Sequence, residues 1–301
     1  MSSWQGRVIR LGLAAMSVWM DRASLDSLRR SRRFSGTAWV RALGVALSPV
    51  QAGGARAEWF VPREAAPRGV LLYLHGGGWT LGLYAAHRHL IARLARLTRR
   101  RVLAVDYRLA PEHPFPAGLD DCLAAYRWLR GQGVAADEIV VAGDSAGGNF
   151  TLALMLALKS AGEALPAAGV CLSPAVDLTG DPAAVGADVR DPLLPRGFAE
   201  RLLRGYRRDL DPRDPLLSPL FGDLRSLPPL LIQAGEKELL LRDAQRLAER
   251  ARACGVAAIL EVYPGMWHVW QLLAPILPEA QAALESIGRF VNQRLRQPAP
   301  V

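Results

Sequence analysis

The residues best placed to do chemistry lie in Gly143-Asp144-Ser145-Ala146-Gly147, a G-x-S-x-G pattern between the β-branched run Ile139-Val140-Val141 and a long run of alanine, leucine and methionine. A strand that turns directly into a helix brings two backbones too close for side chains at the flanking positions, which accounts for both glycines. The same turn holds the serine hydroxyl out at the start of a helix whose N–H groups and dipole favour negative charge. A plain Gly/Ser loop is the alternative, and the flanking strand and helix patterns favour the elbow. Ser145 is therefore the expected nucleophile.

A serine hydroxyl is a weak nucleophile at neutral pH and needs a base within hydrogen-bond reach, itself oriented by an acid. Of the five histidines, His75 sits in a glycine motif, His87 and His89 on a helix and His113 among prolines. His268 follows the last strand and completes the chain order serine, acid, histidine, so it is the expected base. The acid should follow the preceding strand, within Gly235 to Asp243, where two carboxylates compete. Glu238 lies in the post-strand loop and is preferred. Asp243 opens the next helix, where a carboxylate also serves as an N-terminal charge or cap, and it stays the alternative. His75-Gly76-Gly77-Gly78-Trp79 can offer N–H donors to an oxyanion, because glycines let backbone amides approach a substrate. Gly76, Gly77 and the amide of Ala146 are expected to form that hole. Without a G-K-[ST] ending, the glycine stretch does not read as a phosphate-binding loop.

The elements that must position these groups alternate. Residues 1–50 carry helical periodicity (Ile9, Leu13, Met16, Met20, then Leu25 and Leu28) and read as helices outside the sheet. The core begins near Ala57 with AEWFVP and GVLLYLHGGGW, read as a strand pair, and continues with a helix over 87–98 and the strand RVLAVDY. RLAPEHPFPA, residues 108–117, is too rich in proline for helix or central strand and must be a rigid loop. A helix over 119–129, the elbow, a strand at 168–172, a strand at 230–234, a helix over 242–254, a strand at 258–263 and a helix over 278–296 complete the rhythm. This is the pattern of an α/β fold with a mostly parallel sheet covered on both faces. The alternation breaks between Ser173 and Pro229, where Asp-Pro steps (181-182, 191-192, 211-212, 214-215) surround one amphipathic helix near 198–208. That interval reads as a lid, and with the N-terminal helices it forms an expected cap in which Trp19, Trp39 and Phe198 are candidates for lining a pocket.

At 301 residues the chain accommodates one large domain with an insertion. A net charge of +9 raises nucleic acid as a partner, but the arginines are spread from Arg7 to Arg296, only Lys159 and Lys237 are lysine, and no recognition motif accompanies them. The composition reads as GC-rich coding rather than a binding stripe. No apolar run reaches the roughly 20 residues of a spanning helix. Arg7 and Arg10 before LGLAAMSVWM imitate a signal peptide, yet the missing cleavage site and the Arg-rich stretch after Asp21 favour a cap helix. Cys122, Cys171 and Cys254 lack metal-ligand spacing and are expected to be buried free thiols in a reducing, cytoplasmic setting.

HGGGW at 75–79, YRLAPEHPFPA at 107–117 and GDSAGGN at 143–149 together resemble the hormone-sensitive-lipase-like (bacterial family IV) esterases of the α/β-hydrolase fold, and DPLLSPL at 214–220 and PGMWHVW at 264–270 extend the likeness from about residue 50 onward. The resemblance implies Ser145, an acid and His268 as a triad, and the glycine-motif amides as oxyanion hole. It further implies a cap built from residues 1–50 and from an insertion at about 177–213 of a catalytic domain spanning 51–301. Many members carry Asp at the acid position; Glu238 in a G-x-x-E loop resembles a subset. The implied activity is hydrolysis of short- to medium-chain carboxylic esters through an acyl-enzyme, with no metal or organic cofactor, no nucleic acid and no stable membrane insertion. The MWHVWQ loop resembles members acting on lactones such as monoterpene ε-lactones. The fold also hosts nonhydrolytic ligand-binding members that lose the catalytic histidine, and His268 weighs against that reading. The oligomeric state stays open, a homodimer included.

Overall fold

The protein, described by a computed structural model over residues 3–31, 36–180 and 191–295, is built on one eight-stranded sheet. In chain order the strands are β1 (Val45–Ala52), β2 (Ala55–Pro62), β3 (Val70–Leu74), β4 (Arg101–Asp106), β5 (Ile139–Asp144), β6 (Ala168–Leu172), β7 (Leu230–Gly235) and β8 (Ala258–Tyr263). Spatially they run β1-β2-β4-β3-β5-β6-β7-β8. β2 is antiparallel to both of its neighbours and every other pairing is parallel. The helices are α1 (Trp4–Arg22), α2 (Leu25–Ser31), α3 (Thr37–Ala42), α4 (Ala85–Thr98), α5 (Ala117–Gly131), α6 (Ala146–Ser160), α7 (Arg196–Arg207), α8 (Leu241–Ala253) and α9 (Pro278–Arg294).

A strand buried on both faces needs apolar residues at every position rather than every second one. β3 meets this with VLLYL, all buried: Leu72 and Leu74 join the core under α5, α6 and α8, while Leu71 and Tyr73 join the core under α4 and α9. After β3 the chain adds β4 on one side and β5 on the other, so the order reverses between β3 and β5. At such a reversal the loops leaving the carboxyl ends diverge and open a crevice. The loops that leave β3 and β5 are the glycine motif and the serine elbow.

Two expectations change here. The N-terminal helices end at Ala42, and Val45–Ala52 is a strand hairpinned to β2 through Gly53 and Gly54, both at positive φ. Pro49 is tolerated because β1 is an edge strand. Cys122 and Cys171 are buried free thiols as expected, whereas Cys254 is only half-buried at the end of α8. Of the Asp-Pro steps, Asp181-Pro182 lies outside the described residues.

The N-terminal helices are fastened over the carboxyl end of the sheet by two arginines. Arg29 of α2 donates to the carbonyls of Thr80 and Ala110 and pairs with Glu112 of the proline-rich loop. Arg201 of α7 donates to the carbonyls of Met20, Asp21 and Ala23, the last turn of α1, where a cation complements the helix dipole. Between them Met20, Leu28, Leu81, Leu194, Phe198, Leu202 and Leu239 form a small separate core above the crevice.

Candidate active site

Ser145 sits between β5 and α6 with φ 54° and ψ −115°, a backbone conformation that side-chain-bearing residues rarely adopt. The surroundings enforce it. The Ser145 N–H donates to Leu172 O at 2.8 Å. A Cβ at Gly143 would meet the Gly147 carbonyl at 2.3 Å, and one at Gly147 would meet Leu74 O at 1.8 Å. The elbow therefore closes only around bare glycines, and the hydroxyl is thrust out of the turn.

His268 lies in the loop after β8, and its Nε2 is 2.9 Å from Ser145 Oγ. The two carboxylates proposed as its partner diverge. Glu238 is fully buried; its Oε2 accepts from Ser173 Oγ at 2.7 Å and from the Gly235 N–H at 3.0 Å. Ser173 Oγ in turn accepts from the N–H of Val269, next to the histidine, at 3.1 Å. Within this cluster Glu238 Oε1 and His268 Nδ1 are buried and have no hydrogen-bond partner among the described residues. Asp243 turns away and accepts the N–H groups of Val176 and Asp177 at 2.9 and 3.0 Å, pinning the loop after β6. Burial opposes charge on all three groups: it lowers His268 to about 4, raises Asp243 to about 7, and raises Glu238 well above the ordinary carboxylate range against the bonds from Ser173 and Gly235.

The glycine motif after β3 faces the serine, and one of its amides is already occupied. The Gly76 N–H, expected in the oxyanion hole, donates to Asp144 Oδ1 at 3.0 Å. Gly77 and Gly78 follow at positive φ, and neither amide donates to an acceptor among the described residues. Asp144 is the hub of this layer. Its Oδ1 also accepts from Tyr73 OH at 2.7 Å, and its Oδ2 lies 3.0 Å from His87 Nε2. Burial alone would raise its pKa, but His87, Tyr73 and His75 together hold it below the ordinary value. Because Asp144 immediately precedes Ser145, one buried carboxylate ties the strand that leads to the serine to the glycine loop.

Asp191 is a residue that the sequence offered only as part of an Asp-Pro step. It is buried, its Oδ1 accepts from the N–H groups of Leu193 and Leu194 at 2.9 and 3.1 Å, and its Oδ2 accepts from Leu239 N–H at 3.0 Å. The His268 amide also stabilises its charge. Burial raises it to about 6 against these four amides. The carboxylate thus joins the 191–194 segment, the loop of Glu238 and the backbone of His268. Asn in its place offers one acceptor oxygen and turns an NH2 toward N–H donors. Asp191→Asn should lower kcat on p-nitrophenyl butyrate by about a hundredfold, the usual effect of displacing a reacting group by an ångström. The unfolding midpoint should move little, since a buried charge is removed along with its bonds; a fall in midpoint that parallels the loss of activity would mean a purely structural role.

The crevice opens into a cavity of about 1160 Å³ including its mouth, with Ser145 and His268 at its floor and largely apolar walls. Phe198 lines it as expected, but Trp19 and Trp39 are exposed at the surface, and Met20, one residue along α1, lines the cavity instead. Leu202 presses on the glycine loop: a Cβ at Gly78 would meet its Cδ1 at 2.3 Å.

Residues 71–272 match the model of a protein family described as alpha/beta hydrolase fold. An acetyl-hydrolase of Streptomyces hygroscopicus is 44% identical over 244 residues, 81% of either chain. An esterase of Acinetobacter venetianus is 38% identical over 250 residues, 82% of either chain. A crystal structure of an esterase from the bacterial hormone-sensitive lipase family superposes with a TM-score of 0.89 at 39% identity, covering 98% of this chain and all of the other.

Proposed function

Because the chain belongs to the α/β-hydrolase-fold family, among the hormone-sensitive-lipase esterases, and is a serine carboxylesterase, we propose that it hydrolyses short- to medium-chain acyl esters with Ser145 as nucleophile, His268 as base and Glu238 as the orienting acid. The observation that carries the reading is the 2.9 Å contact of His268 Nε2 with the hydroxyl of a serine held at positive φ. Ser145 Oγ attacks the ester carbonyl as its proton passes to His268. The resulting oxyanion lies against the amides of Ala146, Gly77 and Gly78. His268 then protonates the leaving alkoxide, and a water molecule repeats the sequence on the acyl-enzyme to release the acid. Support for Glu238 comes from complementarity: its Oε1 and His268 Nδ1 are an acceptor and a donor left over in one buried cluster, and such bonds tighten when substrate binds. The helices α1 to α3 and α7 act as the cap.

The apolar cavity favours an acyl chain over a polar acid. Each methylene buried is worth about 0.8 kcal/mol, about fourfold in kcat/KM, until the chain meets a wall. Leu202, set against Gly78, and Phe198 supply that wall. With p-nitrophenyl esters from acetyl to palmitoyl, kcat/KM should climb over the short chains and then collapse, and Leu202→Ala should move the optimum to a longer chain. A lactone carries the same acyl–oxygen bond in a ring, so a monoterpene ε-lactone belongs in the same series. Undiminished hydrolysis of palmitoyl ester would overturn the size assignment.

A further inference from the structure

The outer face of α1 is apolar where a surface helix is ordinarily polar. The helix already presents one face to the protein: Gly6 backs onto Met266 and Leu277, Ile9 and Leu13 pack on the core under α4 and α9, and Met20 is buried in the cap. Yet Trp4, Val8, Leu11 and Val18 stand between 53% and 76% exposed, and Trp19 is 44% exposed. Steps of four, three and seven residues put the first four on a single stripe, with Trp19 flanking it. The stripe runs about 22 Å from one tryptophan to the other. Arg7, Arg10 and Arg22 are exposed on the same helix, and the chain has no acidic residue before Asp21.

We propose that this face of α1 docks on an anionic lipid surface, with the helix lying in the headgroup plane. A contiguous exposed apolar stripe marks an interaction surface. Apolar residues with tryptophans at both ends, on a helix that carries Arg7, Arg10 and Arg22 against the single acid Asp21, are the composition of a helix that rests in a membrane interface. Charge selects among the occupants. A second copy pairing stripe to stripe would set the arginines of one helix beside those of the other, on chains that each carry +9. Anionic headgroups complement those arginines while the acyl region receives Trp4, Leu11 and Val18. No helix among the described residues is long and apolar enough to cross a membrane, so α1 lies on the surface rather than through it. Met20 lines the cavity from the buried face of the same helix, and Arg201 holds its last turn, so the docked helix is part of the roof of the cavity. The inference goes beyond the reaction and does not depend on the residue roles assigned to it.

The test uses the full-length protein, sedimented with vesicles of phosphatidylglycerol and phosphatidylcholine or of phosphatidylcholine alone. The wild type should bind the anionic vesicles more tightly, with the difference shrinking in high salt. A double variant, Trp4→Ser with Leu11→Ser, should bind at least about tenfold more weakly, and Arg10→Gln with Arg22→Gln should lose the preference for anionic lipid. Hydrolysis of a dissolved short ester should be unchanged in both, which establishes that they are folded. Equal binding by the wild type and the Trp4/Leu11 variant would overturn the proposal, as would absence of binding to anionic vesicles at low salt. A dimer in gel filtration that the same variant converts to monomer would overturn it in favour of a second copy on this face.

Discussion

Replacing Ser145 with alanine should reduce kcat for p-nitrophenyl butyrate by a factor on the order of 10⁶, leaving only what the oxyanion donors and binding contribute without a nucleophile. The size follows from the arrangement: among the described residues, Ser145 Oγ is the hydroxyl that His268 Nε2 approaches. Ser173, in the same buried cluster, has its hydroxyl engaged by Glu238 and Val269. Substrate affinity should hold, because the cavity walls are untouched. A companion variant separates chemistry from folding. Ser145→Gly should be equally inactive yet more stable by about 1–2 kcal/mol, since glycine adopts φ 54° without the penalty that serine bears there. The pair of results, read by steady-state kinetics and thermal unfolding, would locate a strained backbone at the point of attack. Activity retained in Ser145→Ala would remove the mechanism altogether.

Glu238→Gln should cost about 10⁴-fold in kcat, the scale on which a histidine loses its correct tautomer. It should also move the acid limb of the pH–rate profile. The base must be neutral to act, so activity is present above the apparent pKa of the His268–Glu238 pair and is lost as pH falls through it. Burial, partly offset by Asp144, lowers His268 to about 4, and an ionised Glu238 beside the imidazolium pulls that value upward. Without the carboxylate the limb therefore shifts to lower pH even as the plateau drops. Asp243→Asn should leave the limb where it is and cost activity only modestly, because Asp243 holds Val176 and Asp177 rather than the histidine. Should Asp243→Asn be the variant that loses the limb while remaining folded, the acid assignment passes to Asp243.

What could be read in the sequence was whatever close packing dictates locally. Gly143 and Gly147 announce the elbow because any Cβ there collides with a carbonyl, and the apolar runs of β3 and β5 announce strands covered on both sides. Strand β1 escaped because an edge strand tolerates Pro49 and alternates weakly, although the Gly53-Gly54 turn was a usable signal. The direction of the Gly76 amide is a matter of where Asp144 lies, 68 residues away, and no local spacing carries it. Glu238 and Asp243 both follow β7 within nine residues of Gly235, and only the turn between them decides that one faces the β6 and β8 loops and the other the 176–177 segment. Asp191 gathers amides from residues 193, 194, 239 and 268, and so has no signature along the chain. The cap tryptophans were misplaced because a helix pattern gives the period of an apolar face but not which of two apolar faces turns inward.

Asp144 and Asp191 divide the site into two mechanical circuits. Asp144 locks the serine to the glycine loop through hydrogen bonds from β3, that loop and α4, all parts of the sheet and its covering layer. Asp191 belongs to the cap segment and reaches the loops of Glu238 and His268. On the proposed mechanism, a displaced cap leaves the Asp144 hydrogen bonds between the serine strand and the glycine loop in place while it drags on His268. In the proposed mechanism this is an interlock: Asp144 keeps the serine strand bonded to the glycine loop, and His268 is aligned when the segment of Asp191 is in place.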